Sequence, residues 1–192
     1  MLTIALFAVP ILLAGVIFLM GAQNAKKLAL GAGIIELVLS LIAYQQLHSG
    51  NSTLLSFQQI WIEPMGMSIA FNVDGISMAL ILLAGVLSPL IIYASFNKEF
   101  KNAHIFYGLV LLMIGAMVGA FVAADALLFY VFYEVALIPI YFIILMWGNG
   151  DDKVKVTLRF FLYTLFGSLF MLASLIYAVS YTHLTLPTNR EV

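Results

Sequence analysis

The chain has 192 residues, 64% of them hydrophobic and only 9% charged, with a net charge of −1 and no cysteine. Soluble domains are about half apolar and about a quarter charged, so this composition belongs to a protein that lives in lipid. The near-neutral balance excludes the basic footprint of a nucleic-acid binder, and the missing thiols exclude disulfides, thiolate zinc sites and cysteine-ligated iron–sulfur clusters.

Six segments have the length of a membrane helix, about 20 residues. They run Leu2–Met20, Leu28–Leu47, Asp74–Ser95, His104–Ala123, Ala126–Trp147 and Val156–Val179. The expected fold is an all-α polytopic membrane protein with six transmembrane helices. The first span is not a signal peptide by pattern, because its first basic residues, Lys26 and Lys27, follow the apolar stretch. Gly31-Ala32-Gly33 lies within the second apolar helix and is not a nucleotide loop.

The loop from Ser49 to Val73 is patterned. Residues 58–62 and 67–71 are short β-prone runs on either side of Glu63-Pro64-Met65-Gly66, which predicts a β-hairpin able to lie on the membrane surface. Asp74, with Ser77 three residues on, reads as the N-cap of the third span. Pro89 predicts a kink in that span. In the fourth span Gly115 and Gly119 form a GxxxG, with Gly108 one heptad earlier; small residues at this spacing let helix backbones approach, so they are read as packing. Asp125, in the very short link that follows, is placed to cap the fifth helix. The second short link, Gly148 to Lys155, forces another tight antiparallel pair. Trp61 and Trp147 fit interfacial anchors.

Basic residues set the orientation. Lys26 and Lys27, Lys98 and Lys101, and Lys153, Lys155 and Arg159 fall in alternate connections, and the other connections have none. The positive-inside rule then puts these regions in the cytoplasm and the N-terminus and hairpin outside.

Glu134 is the most informative residue. It sits within the apolar run 126–147, where an acid is disfavoured by roughly 3 kcal/mol or more on insertion scales. Such a group persists where it handles protons or ions, or where it is a protonated, hydrogen-bonded packing residue. Leu127, Tyr130, Val131, Leu137, Ile138 and Tyr141 share its helix face. Tyr130 and Tyr141 can hydrogen-bond near it. Pro139 lacks an N–H, which frees the Val135 carbonyl and makes a polar notch that water can enter. Desolvation favours the neutral acid and a basic partner would favour the carboxylate, the opposition a switchable site needs. No basic partner lies deep in these spans.

Glu36, in the middle of the second span, is a second candidate by the same logic, with structural pairing to another helix or subunit as the competing account. Arg159, in the first turn of the sixth span, is a possible charge partner, or a side chain that snorkels to the cytoplasmic surface. His48 and His104 have no companions at metal-ligand spacing. No nucleophile–base set or phosphate loop is visible.

Residues 125–134, DALLFYVFYE, followed by Leu137-Ile138-Pro139-Ile140-Tyr141-Phe142 and Trp147-Gly148, resemble the antiporter-like subunits of respiratory complex I, with the M chain (subunit 4 in mitochondria) as the closest type. Val73-Asp74-Gly75-Ile76-Ser77, Arg159-Phe160-Phe161-Leu162-Tyr163-Thr164, Gly167-Ser168 and Met171-Leu172 agree in the same order. The resemblance implies the N-terminal part, residues 1–179, of a proton-translocating bundle of about fourteen helices in the bacterial inner membrane. It implies that Glu134 is the proton site, paired with a lysine on a later, broken helix. It implies partners among the other complex I membrane-arm subunits, and NADH, FMN, iron–sulfur clusters and quinone bound by other subunits, with no cofactor on this chain. The position of Arg159 is often lysine in such proteins; arginine keeps the charge but does not readily release a proton. A multi-subunit cation/proton antiporter, a hydrogenase membrane arm and a non-catalytic scaffold are the competing functions. The last thirteen residues, SYTHLTLPTNREV, depart from the pattern and resemble translated adapter sequence; residues 180–192 are expected to be a non-native tail, with no functional weight on His183 or Arg190.

Overall fold

The computed structural model describes residues 2–21, 24–49, 55–62 and 67–184. Its helices are α1 (Leu2–Met20), α2 (Ala25–His48), α3 (Gly75–Ala94), α4 (Ala103–Val122), α5 (Ala126–Trp147) and α6 (Lys153–Leu184), with a 3₁₀ turn at Ser95–Asn97. All six are long and apolar enough to cross a membrane. Helices α2 and α6 begin three residues before the apolar runs that announce them, and α6 continues to Leu184, beyond the expected end at Val179. The apolar run marks the hydrocarbon layer, whereas backbone hydrogen bonding continues past it wherever side chains such as Lys27 and Lys155 can stay in water.

Helix α4 is the centre of the bundle. It packs against α1, α2, α3 and α5, while α6 packs on α5. Its glycines make this possible. Gly108 faces the Phe18 ring of α1, and Gly119 faces the Phe132 ring of α5. A Cβ on Gly115 would stand 2.6 Å from Ile11 Cγ1 and 3.0 Å from the Phe7 carbonyl oxygen. The GxxxG thus serves two neighbours at once. Leu111, Val118 and Val122 fill the core with Leu6 and Ile17 of α1 and Ile81 and Ile92 of α3.

The end of the bundle that carries the lysines is tied by polar contacts to backbone. Lys26 Nζ donates to the Phe96 carbonyl at 2.9 Å and the Lys98 carbonyl at 3.2 Å, placing a cation where α3 ends. Trp147 Nε1 donates to the Lys101 carbonyl at 3.2 Å, among the rings of Phe100 and Phe106. At the opposite end, β1 (Phe57–Ile62) and β2 (Met67–Phe71) pair antiparallel from Phe57↔Phe71 to Ile62↔Met67, with an irregularity between Ile60 and Ile62. The turn at Glu63–Gly66 and the Trp61 side chain lie outside the described residues.

The hairpin is anchored to the link between α4 and α5. Asn72 N–H donates to the Val122 carbonyl at 2.9 Å, and Ala124 N–H to the Ala70 carbonyl at 2.8 Å. Phe71 also packs with Phe7, Phe57 and Phe132.

Asp74 caps α3 as its position predicts, accepting the Ser77 N–H at 2.7 Å. That bond holds its carboxyl below the usual carboxylate range. A lowered acid stabilises the native cap above its unfolded-state pKa, and the contribution fades as pH falls through the folded value. Asp74→Ala should therefore lower the protection factor of the Ser77 amide at neutral pH, and acid should lower it in the parent once the intrinsic exchange rate at each pH is divided out; equal protection in parent and variant at neutral pH would remove Asp74 as the cap.

Candidate functional site

The start of α5 is fixed from two sides. The Asp125 carboxylate accepts the N–H groups of Leu127 at 2.9 Å and Leu128 at 3.2 Å, and the residues just before it are paired with β2. Gly150, at φ 106°, makes the tight link to α6 that a side chain would strain. Helix α5 is thus held at both ends, and the depth of every residue on it is set.

Glu134 lies eight residues after Ala126, or about 12 Å along the axis at the α-helical rise. Phe132 points at Gly119 of α4. Two residues on, a helix has turned by about 200°, so Glu134 faces away from α4. It is half-buried, and its Oε1 is enclosed without a hydrogen-bond partner among the described residues. Tyr130, one turn earlier on the same face, interacts through its hydroxyl with Glu134 and with Ser168 of α6. Ser168 is 3% exposed, and its hydroxyl also donates to the Leu165 carbonyl at 2.8 Å. Tyr141 packs edge-on against Phe161 of α6 with ring centroids 5.2 Å apart. Pro139 is buried within α5, so the Val135 carbonyl, one residue from Glu134, has no N–H one turn on to receive. The result is a carboxyl group, a tyrosine, a serine and a free carbonyl at one depth of the α5–α6 pair.

Arg159 occupies a different depth. It is exposed and lies six residues into α6, about 9 Å from the helix start, whereas Ser168 is about 22 Å along. Ser168, not Arg159, stands opposite the Glu134–Tyr130 turn. In the sequence Ser168 stands out only as part of the matching stretch Gly167-Ser168. Its signal as a site residue was there: a small polar side chain half-way along an apolar helix that pairs antiparallel with the helix of Glu134.

Glu36 lies elsewhere, among α1, α3 and α4, which pack against α2. It is 1% exposed, and neither carboxyl oxygen has a hydrogen-bond partner among the described residues. The two acids therefore differ in kind: Glu36 is sealed inside the first four helices, while Glu134 sits on a pair of helices whose remaining faces are open and apolar. Exposed Val131, Ile138, Phe142, Phe166 and Phe170 make up much of that open surface. His48 stacks near Tyr44, and His104 has an enclosed, unpartnered Nδ1. Among the described residues no group of three His, Asp or Glu is placed to hold a metal.

A family model described as NADH:quinone oxidoreductase/Mrp antiporter, transmembrane, matches residues 123–188, a range that holds Glu134, Tyr130 and Ser168 and enters the compositionally distinct C-terminal segment. The F(420)H(2) dehydrogenase subunit M of Methanosarcina mazei is 36% identical over 184 residues, 93% of this chain and 36% of its own length. The NAD(P)H-quinone oxidoreductase chain 4-2 of a Synechocystis species is 34% identical over 174 residues, 88% of this chain and 31% of its own. A chain of respiratory complex I from Thermus thermophilus, solved with bound NADH, superposes with a TM-score of 0.77 at 30% identity, over 92% of this chain and 35% of that one. The chain thus spans about a third of the length of these relatives.

Proposed function

We propose, from its similarity to the subunit M and chain 4 relatives, that the full-length protein is an antiporter-like membrane subunit that moves protons across the membrane as part of an NADH:quinone oxidoreductase, with Glu134 as the proton site. The observation that carries the proposal is the Glu134–Tyr130–Ser168 arrangement beside the free Val135 carbonyl. Membrane-embedded ionisable groups are kept where they serve a pathway, and this one has a polar surround at its own depth.

Electron transfer takes place on other subunits, which hold the NADH, flavin, iron–sulfur and quinone sites. A change of charge elsewhere in the membrane arm alters the balance between protonated and ionised Glu134. Tyr130 and Ser168 can pass or stabilise the proton, and the open side of α5 and α6 receives the helices and subunits that complete the path. A basic group from that added protein is the counterpart Glu134 lacks here. Arg159 acts nearer the lysine-bearing surface, as a fixed positive charge.

The protein sits in a bacterial inner membrane with its N-terminus and hairpin outside. A single cysteine placed near Asn72 should react with an impermeant thiol reagent added to whole cells, and one near Lys98 only after permeabilisation; the reverse pattern would invert the orientation. The same family description includes Mrp antiporters, so a cation/proton antiporter subunit is the second reading. Proteoliposomes carrying the assembled complex separate the two. NADH-driven acidification that is independent of sodium and lost in Glu134→Gln supports the first; sodium-dependent proton exchange without NADH supports the second.

A further inference from the structure

The carboxyl group of Glu36 has no role in the path above, yet it shares with Glu134 a nearby serine and a backbone carbonyl freed by a proline. On α2 the buried residues Ala25, Ala29, Ala32, Gly33, Glu36, Ser40 and Ala43 form one stripe of small side chains interrupted by a single acid. Gly33 and Ser40 lie about 60° and about 40° around the helix from Glu36, and both touch α3. Ser88 Oγ donates to the Gly33 carbonyl at 3.3 Å. Ser40 Oγ approaches Gly85 closely enough that a Cβ there would stand 2.5 Å from it. Pro89 follows Ser88 and has no N–H, so the Gly85 carbonyl, one turn earlier, loses its helical donor. Glu36 therefore stands at the level where α3 offers a free carbonyl and a serine, as Glu134 stands beside the Val135 carbonyl and Ser168.

An ionised carboxylate with neither oxygen paired, at 1% exposure, is disfavoured by several kcal/mol. A positive counterpart must therefore be bound. No ionisable side chain of the packed elements reaches this level: α1 has none, α3 has Tyr93 at its lysine-side end, and α4 has His104 and Tyr107 in its first two turns. On α2 itself Lys26, Lys27, Tyr44 and His48 are near the two ends. A metal ion needs a shell of several ligands. The seam is too close for one, since a Cβ on Gly33 would already meet Pro89 Cα, Pro89 N and Ser88 Oγ at 3.1 Å. A proton needs no such room.

We propose that Glu36 is a second proton-binding site of this chain, closed within α1–α4 beside the Pro89 break of α3, and that it exchanges its proton during turnover. The exchange rests on the proton-translocating reading above; the bound proton does not. The step moves a proton alone onto and off a Glu36 oxygen, with no electron transferred.

The test is infrared difference spectroscopy, NADH-reduced minus oxidised, on the full-length protein in its assembled complex, in H₂O and in D₂O. The expected result is a protonated-carboxyl carbonyl band that shifts in D₂O, disappears in Glu36→Gln, moves in Glu36→Asp and persists in Glu134→Gln. Gln matches the acid in shape, and the Asp variant supplies a readout if Gln impairs assembly. The proposal is overturned if neither variant alters a protonated-carboxyl band, if the band does not change between redox states, or if sodium removes it. Unchanged pumping in Glu134→Gln would sink the broader reading while leaving the Glu36 band to be judged by itself.

Discussion

Glu134→Gln in the full-length protein should leave assembly intact and lower NADH-driven proton pumping by about a hundredfold or more, the low side of what removing a positioned proton-transfer group does to a rate. The amide has the volume and shape of the acid, so the contacts of α5 with α4 and α6 survive. It cannot bind and release a proton near neutral pH, so the loss falls on transport. Glu134→Asp keeps the proton but retracts it by one methylene from Tyr130, and should retain part of the activity. Tyr130→Phe removes the hydroxyl between Glu134 and Ser168 and should reduce pumping by less than the Gln variant does, because the Val135 carbonyl and the carboxyl group remain. The measurement is the initial rate of lumen acidification in proteoliposomes against the rate of NADH oxidation. Pumping at the parent rate in Glu134→Gln would remove this residue from the proton path. A parallel fall in acidification and assembled complex would instead make Glu134 a structural acid.

The depth of Glu134 was legible in the sequence because an apolar run, a capping aspartate and a short link fix where a membrane helix starts. Asp125 and Asp74 both cap as expected, and the hairpin forms from the two runs that flank Pro64 and Gly66. What the sequence could not give was which neighbour each face meets. A membrane helix is apolar all round, so periodicity carries little directional information. Phe132 reveals the direction of α5 only through its contact with Gly119. That contact turns Glu134 away from α4, toward the side where Ser168, rather than Arg159, lies at its depth on α6. The closure around Glu36 was hidden for a related reason. Alanine, glycine and serine are unremarkable in a membrane helix, and only the approach of α3 along Gly33 and Ser40 shows that they seal an acid from water and lipid alike. The pairing of β2 with the α4–α5 link was likewise out of reach, since it joins segments some fifty residues apart with no turn signal between them.

Gly115→Leu should destabilise the bundle by about 1–3 kcal/mol or more, the range for forcing extra volume into a close-packed interior. The reason is the kind of atom in the way. One close neighbour is the flexible tip of Ile11, but the next are the Phe7 carbonyl oxygen and the Ile11 amide nitrogen, 3.0 and 3.3 Å from where a Cβ would be. Backbone cannot rotate aside, so α1 and α4 must separate along much of their length. Gly108→Ala provides the contrast. Its neighbour is the ring of Phe18, a side chain 37% exposed and able to swing outward, and alanine is favoured over glycine inside a helix by about 0.5–1 kcal/mol, so this variant should lie within about 1 kcal/mol of the parent. Thermal unfolding of the purified complex in lipid nanodiscs measures both. Equal stability for Gly115→Leu and the parent would mean that α1 and α4 are not held at this distance. The consequence extends beyond stability, because α4 carries Gly119, and Gly119 receives the Phe132 ring that aims α5. A helix pair forced apart at Gly115 should therefore also lose pumping while Glu134 remains chemically intact, and proton transport in that variant should fall further than its content of assembled complex.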